Sequence, residues 1–434
     1  MLETLRNAWR VKEIRSKLLY TFLMLILFRL LSVVPVPGIN TAAVKDAMGG
    51  FAALDLVNMM TGNAFAQMTI MAMGISPYIN ASIIMQLLTI AIPALERMQK
   101  EGGEEGKKKI SQITRYLTVG LAALQAIGII MGLNATTQGS EPIIMAGYNQ
   151  FWGFAMIGIV MAGGTALAMW IGDRITKKGI GNGVSMLIFV GIISNLFGGI
   201  FHEISGIFNP AEGAGTTSHL FNLIVILVTT FVILAVVTWI DLSERRIPVQ
   251  YAKRVVGRKM FGGQSTHIPL KIMSVGVLPL IFAYSFMSFP ATIGAMFGPQ
   301  NGFNLWWQQY MNQTSPWYIL TVSLLIIAFT YFYSSITFNP ADISKNIQQQ
   351  GGNIPGIRSG ANTVDYLKRT SHRLILFAAL FLAVLSAVPT LTIGVLNVNI
   401  PFGGSSILIA VSVALEFIRQ IEAHMTTRNY KGFM

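Results

Sequence analysis

Few ionisable residues in this chain stand where catalysis or ion coupling would need them. The five histidines, His202, His219, His267, His372 and His424, fall in connections or at the ends of apolar runs, and none has metal-ligand spacing with a carboxylate. There is no cysteine, which excludes a thiol nucleophile, a thiolate metal site and a disulfide framework. The acidic residues lie almost entirely in polar connections. Glu416 and Arg29 are the exceptions, each placed where it can snorkel or pair locally, and a structural role is the expectation for both. Gly179-Ile180-Gly181-Asn182-Gly183, after Lys177-Lys178, lacks P-loop spacing and a preceding strand, so it reads as a tight turn. An enzyme or an ion-coupled carrier needs ionisable groups at depth. No catalytic residue, metal site or cofactor is expected here.

The polar signal lies instead in uncharged residues inside particular apolar runs. Gln67, Ser76, Asn80, Ser82 and Gln86 share one run, and Gln125 lies in the next. Helices with such groups at depth face a water-filled path or hydrogen-bond to one another, and are poorly suited to full lipid contact. Ile75 and Ile79, and Val184 and Ile188, are i,i+4 pairs that each share one helical face, a spacing also typical of plain packing.

The elements that must position these residues are ten apolar runs of membrane-crossing length, near 17–37, 66–92, 113–133, 152–171, 183–201, 219–239, 269–291, 316–336, 372–392 and 402–421. Of the 31 Lys and Arg, all but Arg29 and Lys45 fall in the two termini and in alternate connections on one side. By the positive-inside rule that side, with both termini, is cytoplasmic. At 53% hydrophobic and 11% charged the chain is no ordinary soluble domain. Topology accounts for the net charge of +13, so a generic nucleic-acid binder is excluded, while a ribosome touching the basic loops is compatible with it. The first run continues into Val34-Pro35-Val36-Pro37-Gly38 rather than a cleavage site, and is expected to be retained. The stretch from Gly49 to Asn63 is Gly-bounded, moderately apolar and too short to span, and reads as a re-entrant or interfacial helix on the external side.

Two connections on the basic side, 241–268 and 337–371, are long and charged. Loops of that size serve either as solvated tethers or as a docking platform for a negatively charged partner. An offset of 202 residues carries the first three runs onto the sixth, seventh and eighth. At that offset Gly74-Ile75-Ser76-Pro77-Tyr78-Ile79 meets Gly276-Val277-Leu278-Pro279-Leu280-Ile281. With five runs per half the second half must be inverted, which places a pathway between the halves. The residues alone favour a secondary transporter for a small molecule first and a channel second.

Several blocks then resemble the SecY family of protein-conducting channels, essentially end to end. They include Pro35-Val36-Pro37-Gly38-Ile39, the stretch from Met73 to Leu88, and Lys109-Ile110-Ser111-Gln112-Ile113-Thr114-Arg115-Tyr116. Further blocks are Gly179–Gly183, Arg245-Arg246-Ile247, Tyr251-Ala252-Lys253-Arg254, Gln264–Lys271, Phe338-Asn339-Pro340, Pro355-Gly356-Ile357-Arg358 and Phe402-Gly403-Gly404-Ser405-Ser406. The resemblance implies an all-α polytopic membrane protein, with ten transmembrane helices in two inverted halves (1–202 and 203–434) forming a clamshell around a central pore. It implies a channel that translocates unfolded secretory polypeptides across the bacterial cytoplasmic membrane and releases transmembrane segments sideways into lipid.

The same resemblance assigns roles by position. A pore ring falls on Ile75, Ile79, Val184, Ile188, Ile281 and Ile409. A plug helix at about 51–64 carries Phe51, Leu54, Leu56, Val57 and Met60. A lateral gate, formed by the second, third, seventh and eighth runs, is closed by hydrogen bonds and carries Asn80, Gln86 and Gln125. The docking platform presents Arg245, Arg246, Lys253, Arg254 and Arg358. Implied partners are the small subunits SecE and SecG, the motor ATPase SecA, the ribosome, signal sequences with nascent or secretory polypeptides, and membrane lipids. Departures are mild: Val184 stands where isoleucine is common, the 337–371 loop carries Gln348-Gln349-Gln350-Gly351-Gly352, and the C-terminal tail is short.

Overall fold

In the computed structural model of this protein, the described residues are 6, 9–48, 58, 61–136, 143–144, 150–208, 216–251, 254–256, 259–261, 265–273, 276, 278–297, 301–312, 315–396 and 404–429. The chain runs through α1 (Lys12–Leu31), α2 (Thr41–Met48), α3 (Ser76–Ala91), α4 (Pro93–Lys100), α5 (Gly103–Thr136), α6 (Gln150–Lys178), α7 (Gly183–Phe208) and α8 (Thr216–Asp241). Four strands follow: β1 (Glu244–Tyr251), β2 (Arg254–Val256), β3 (Lys259–Phe261) and β4 (Ser265–Lys271). Then come α9 (Leu278–Met296), α10 (Gly302–Tyr310), α11 (Pro316–Thr337), α12 (Pro340–Gln349), β5 (Gly352–Asn353), α13 (Ala361–Leu396) and α14 (Gly404–Asn429).

The ten apolar runs correspond to α1, α3, α5, α6, α7, α8, α9, α11, α13 and α14. Among the described residues α5, α6, α7, α8, α11 and α13 are each long and apolar enough to cross a bilayer, and α3 with α4 forms a bent seventh. Large apolar side chains such as Phe22, Phe231, Trp239 and Leu324 stand exposed on these helices, a surface suited to lipid or to a partner's membrane helix. The protein is a multi-pass membrane protein.

Two runs are not the continuous spans expected. The stretch 66–92 becomes helix only at Ser76, and 61–75 is a succession of turns. Phe65, Met68 and Met71 in that segment are fully buried. Its backbone is satisfied by neighbours: Val36 N donates to Met68 O at 2.9 Å and Ile70 N to Val34 O at 2.9 Å. Irregular backbone survives within a membrane protein only when packed in this way. The run 269–291 likewise opens as the end of β4 and becomes helix at Leu278. Both helices start behind a glycine in the left-handed region, Gly74 at φ 51° and Gly276 at φ 64°. Ser76 and Leu278 stand at the same 202-residue offset as the motif, so the repeat is one of backbone geometry as well as sequence. At its other end α3 breaks at Ile92, extended as a residue before proline must be, and the chain turns by 104° into α4.

The helices meet along two seams. At one, α9 packs on α3 and α5; at the other, α7 and α14 pack on each other and both pack on α8. Glycines permit close approach at each. A Cβ on Gly128 of α5 would fall 2.3 Å from Met296 at the end of α9. One on Gly206 of α7 would meet the His219 ring of α8 at 2.8 Å.

The long basic connections are not tethers. β1 pairs antiparallel with β4, from Glu244↔Lys271 to Gln250↔Ser265, and on its other edge with β5 through Gln250↔Asn353 and Tyr251↔Gly352. Pro248 and Pro269 fall in the same alternate set of pairs, leaving the other set free to carry the ladder. Ile247 and Val249 point inward and form a separate apolar core with Leu270, Ile347, Ile354 and Leu367. Both loops thus build one small subdomain on the basic side. Val249→Asp would bury an unpaired carboxylate there at a cost of several kcal/mol. Limited proteolysis should then cut within 244–271 and 340–367 while the membrane helices stay intact; a wild-type cleavage pattern would contradict a shared core.

Candidate functional site

Side chains from four helices and from both halves of the chain share the protein's main apolar core. Ile75, Ile79, Ile188, Ile281 and Ile409 are each 3–5% exposed and belong to a single apolar cluster, with Val184 half-buried against it. Ile75 is the N-cap of α3, not a residue inside a longer helix, and Ile79 N donates to its carbonyl at 3.1 Å. The i,i+4 relation expected for this pair therefore holds across the first turn. Ile281 occupies in α9 the fourth helical position that Ile79 occupies in α3.

A second internal match, missed in the sequence reading, positions the rest. α7 opens Gly183-Val184-Ser185-Met186-Leu187-Ile188 and α14 opens Gly404-Ser405-Ser406-Ile407-Leu408-Ile409, both G-x-S-x-L-I. Ile188 and Ile409 are thus sixth residues of helices that occupy matching places in the two halves. The turn Gly179–Gly183 sets the start of α7, as expected for a tight turn rather than a phosphate loop. Gly181 has φ 96°, Asn182 Oδ1 accepts from Val184 N at 3.1 Å, and Thr176 Oγ1 accepts from Gly183 N at 2.9 Å. A Cβ on Gly183 would lie 1.9 Å from Gly172 O, so α7 closes on α6 only because glycine stands there.

Beside Ile75, Ile79 and Ile188 there is little space. A cleft lined by Phe28, Thr61, Gly74, Ile75, Ser76, Ile79, Leu187 and Ile188 has only about 10 Å³ of free room, at the lower limit for one water. Branched apolar side chains offer no hydrogen bond to water or ions, and a constriction of this kind excludes both while unoccupied.

Polar groups flank the constriction along the seam of α3, α5 and α9. Asn80 and Gln125 are buried, and Gln86 is half-buried with its Oε1 lacking a partner. Among the described residues no hydrogen bond joins these three side chains to one another. On α9, Ser285 Oγ is buried without a partner, and Ser288 and Thr292 bond back to their own helix. The seam is polar but incompletely satisfied, so its closure rests on packing more than on hydrogen bonds.

Charged groups within the helices are engaged locally, as expected for Arg29 and Glu416. Arg29 Nη1 donates to Gly62 O at 2.9 Å, and Glu416 Oε1 accepts from Gln420 at 3.4 Å. Further pairs join helices: Arg115 of α5 with Asp173 of α6, Arg419 of α14 with Asp241 of α8, and His219 of α8 with Glu203 of α7 at 2.7 Å. Sequence spacing gives no hint of these pairs, because their partners lie 16 to 178 residues apart. Gly62 has φ 69°, and a Cβ on it would lie 2.7 Å from Arg29 Nη1.

The remaining candidates divide between the basic subdomain and the undescribed residues. Arg245 and Arg246 are exposed on β1, Arg358 is exposed after β5, and Arg254 lies on β2. Arg246 also pairs with Glu244 at 2.8 Å. Lys253 and the plug candidates Phe51, Leu54, Leu56, Val57 and Met60 lie outside the described residues.

Membrane helices in two inverted halves that share a core of branched apolar side chains, with a polar seam beside it, define the fold of a membrane channel. The family model described as SecY matches residues 69–418. The "Protein translocase subunit SecY" of Halalkalibacterium halodurans is 41% identical over 440 residues, and that of Streptomyces galbus 39% over 450, each covering 100% of both chains. Among solved structures, "The structure of a protein conducting channel" aligns with a TM-score of 0.67 at 18% identity, covering 94% of this chain and 91% of that one. Sec61 in the canine ribosome-channel complex aligns at 0.61 and 17%, with the same coverage. The chain belongs to the SecY family.

Arg29→Met would leave the Gly62 carbonyl without its charged donor, a loss of about 1.5–3 kcal/mol. The thermal unfolding midpoint of the purified protein should fall; an unchanged midpoint would mean that the contact carries no stability.

Proposed function

We propose that the six-residue constriction is the aperture through which an unfolded secretory polypeptide crosses the membrane. The observation that supports it is that Ile75, Ile79, Ile188, Ile281 and Ile409, from both halves, lie buried in one apolar core, with Val184 packed against it. An apolar, branched ring suits a substrate of any sequence. It makes no directional demand on the chain inside it and reseals against ions when the chain has left. A carrier for small molecules would need a discrete polar site with an ionisable group at depth, and this constriction offers apolar side chains instead.

The halves are 1–202 and 203–434, and the α3/α5/α9 seam, with α11 beside it, is the lateral gate. Asn80, Gln86 and Gln125 weaken that seam: a polar contact that is poorly satisfied when closed is readily replaced by an apolar segment of the substrate, which then passes into lipid. The segment at about 51–64 acts as the plug on the external side. The basic side is cytoplasmic, in keeping with the distribution of Lys and Arg, and the membrane is the bacterial cytoplasmic one.

The chain is not itself an enzyme, and the driving force comes from a docked partner. The subdomain built from 241–268 and 337–371 presents Arg245, Arg246, Arg254 and Arg358, with Lys253 in the same loop. Guanidinium forks suit both the carboxylates of a motor ATPase such as SecA and ribosomal phosphates. SecE and SecG are the expected small subunits.

The absence of cysteine provides the test. A single cysteine at Ile79 or Ile281 should crosslink to a cysteine in a stalled secretory precursor, and only when SecA with ATP, or a translating ribosome, is present. No crosslink at either position in folded, partner-bound protein would overturn the aperture.

A further inference from the structure

At the basic-side end of the C-terminal half, α11, α12 and α13 enclose a crevice of about 330 Å³ that is separate from the constriction. Its floor is Ser334, only 2% exposed, whose Oγ has no hydrogen-bond partner among the described residues. Its neighbours on α11 behave differently. Thr330, Ser335 and Thr337 all bond their hydroxyls to carbonyls of their own helix. A buried hydroxyl left unpaired costs roughly 1–3 kcal/mol, and one lining a cavity marks a missing ligand atom.

The walls carry cationic and donor groups. Lys368 and His372 stand one turn apart on α13 and line the crevice, together with Ser371. Lys368 forms no ion pair among the described residues, and the His372 ring is set against the Tyr331 ring at 6.4 Å. The N-terminus of α12, which is ten residues long, opens at the mouth. There Asn339 Oδ1 accepts from Ala341 N at 3.2 Å and Asn339 Nδ2 donates to Asp342 at 2.7 Å, while Pro340 at the first helical position has no N–H. A lysine, an imidazole and two serine hydroxyls around one cavity are the donor set of a phosphate site.

What lies beyond the crevice decides which phosphate. Leu376 and Leu380, the next two turns of α13 after His372, are 48% and 49% exposed. A headgroup seated on Lys368 and Ser334 would therefore have its acyl chains continuing along apolar helix surface. We propose that this crevice is a binding site for the phosphate headgroup of an anionic phospholipid. The lipid would bridge α11 and α13 at the root of the basic subdomain, because α12 and β5 follow directly from α11.

The test uses the intact complex in phosphatidylcholine nanodiscs doped with photoactivatable phosphatidylglycerol, with labelled peptides mapped by mass spectrometry. Label should fall within 331–341 and 364–376. Lys368→Gln combined with His372→Gln should cut it about tenfold, while Lys368→Arg retains it. Ser334→Ala should cut labelling about threefold yet leave the unfolding midpoint in lipid-free detergent unchanged or raised, since it removes an orphan hydroxyl. Equal labelling by photoactivatable phosphatidylcholine, or labelling indifferent to Lys368 and His372, would overturn the site. Full displacement by inorganic phosphate would show a free-anion site instead. Absence of label in the complex but not in the isolated chain would show that a partner subunit's helix fills the crevice. Either result would likewise overturn the lipid assignment.

Discussion

The side chains at the constriction are held together by dispersion and by exclusion of water, without a hydrogen bond among them, and the positions of the membrane helices serve that contact. Such a seal has two properties a polar one lacks. It loses little specificity when a polypeptide of arbitrary sequence replaces one wall, and it admits neither ion nor water when the walls meet. The cost is that apolar contact fixes no register, so geometry has to come from elsewhere. Here it comes from the backbone: left-handed glycines ahead of α3 and α9, and the capped, glycine-packed turn ahead of α7. Each sets where a helix begins: Ile75 is the N-cap of α3, Ile79, Val184, Ile188 and Ile281 sit within the first six positions of α3, α7 and α9, and Ile409 is the sixth residue of α14.

The seams around the constriction divide the labour. On the α7/α8/α14 side the helices are tied by Glu203–His219 and by Asp241–Arg419. Among the described residues no ion pair ties α3, α5 and α9 to one another, while buried oxygens without hydrogen-bond partners occur on both sides, Gln86 Oε1 and Ser285 Oγ on this one and Thr230 Oγ1 and Ser412 Oγ on the other. Removing one partner of a buried, hydrogen-bonded pair between helices is expensive, whereas opening a seam without such a pair forfeits less. The first seam is therefore suited to a hinge and the second to an opening, which is the asymmetry a channel needs if it is to release segments sideways.

Much of this was legible in the residues, and the failures are instructive. Ten apolar runs marked a multi-pass membrane protein, and G-x-x-P-x-I at an offset of 202 marked the repeat. The run 66–92 misled because hydropathy reports composition, not conformation: Phe65, Met68 and Met71 are as apolar as helix residues yet lie in turns. Gly74 followed by Pro77 was the available signal for a late helix start. The β1 ribbon was hidden by Pro248, which interrupts the inward alternation of Ile247 and Val249. Ile281 is marked in the sequence by its match to Ile79 in G-x-x-P-x-I, whereas Ile409 is marked by family resemblance and by G-x-S-x-L-I at 183 and 404, which pairs it with Ile188.

The central claim is that this apolar contact is the seal, and ion conductance reads it directly. The complex would be reconstituted in planar bilayers without substrate, and wild type compared with a variant in which Ile79, Ile188, Ile281 and Ile409 are all serine. Wild type should be silent and the variant should pass a steady current, because hydroxyls permit the constriction to wet. A silent variant that still folds and translocates, or a wild type that leaks as much as the variant, would contradict the account.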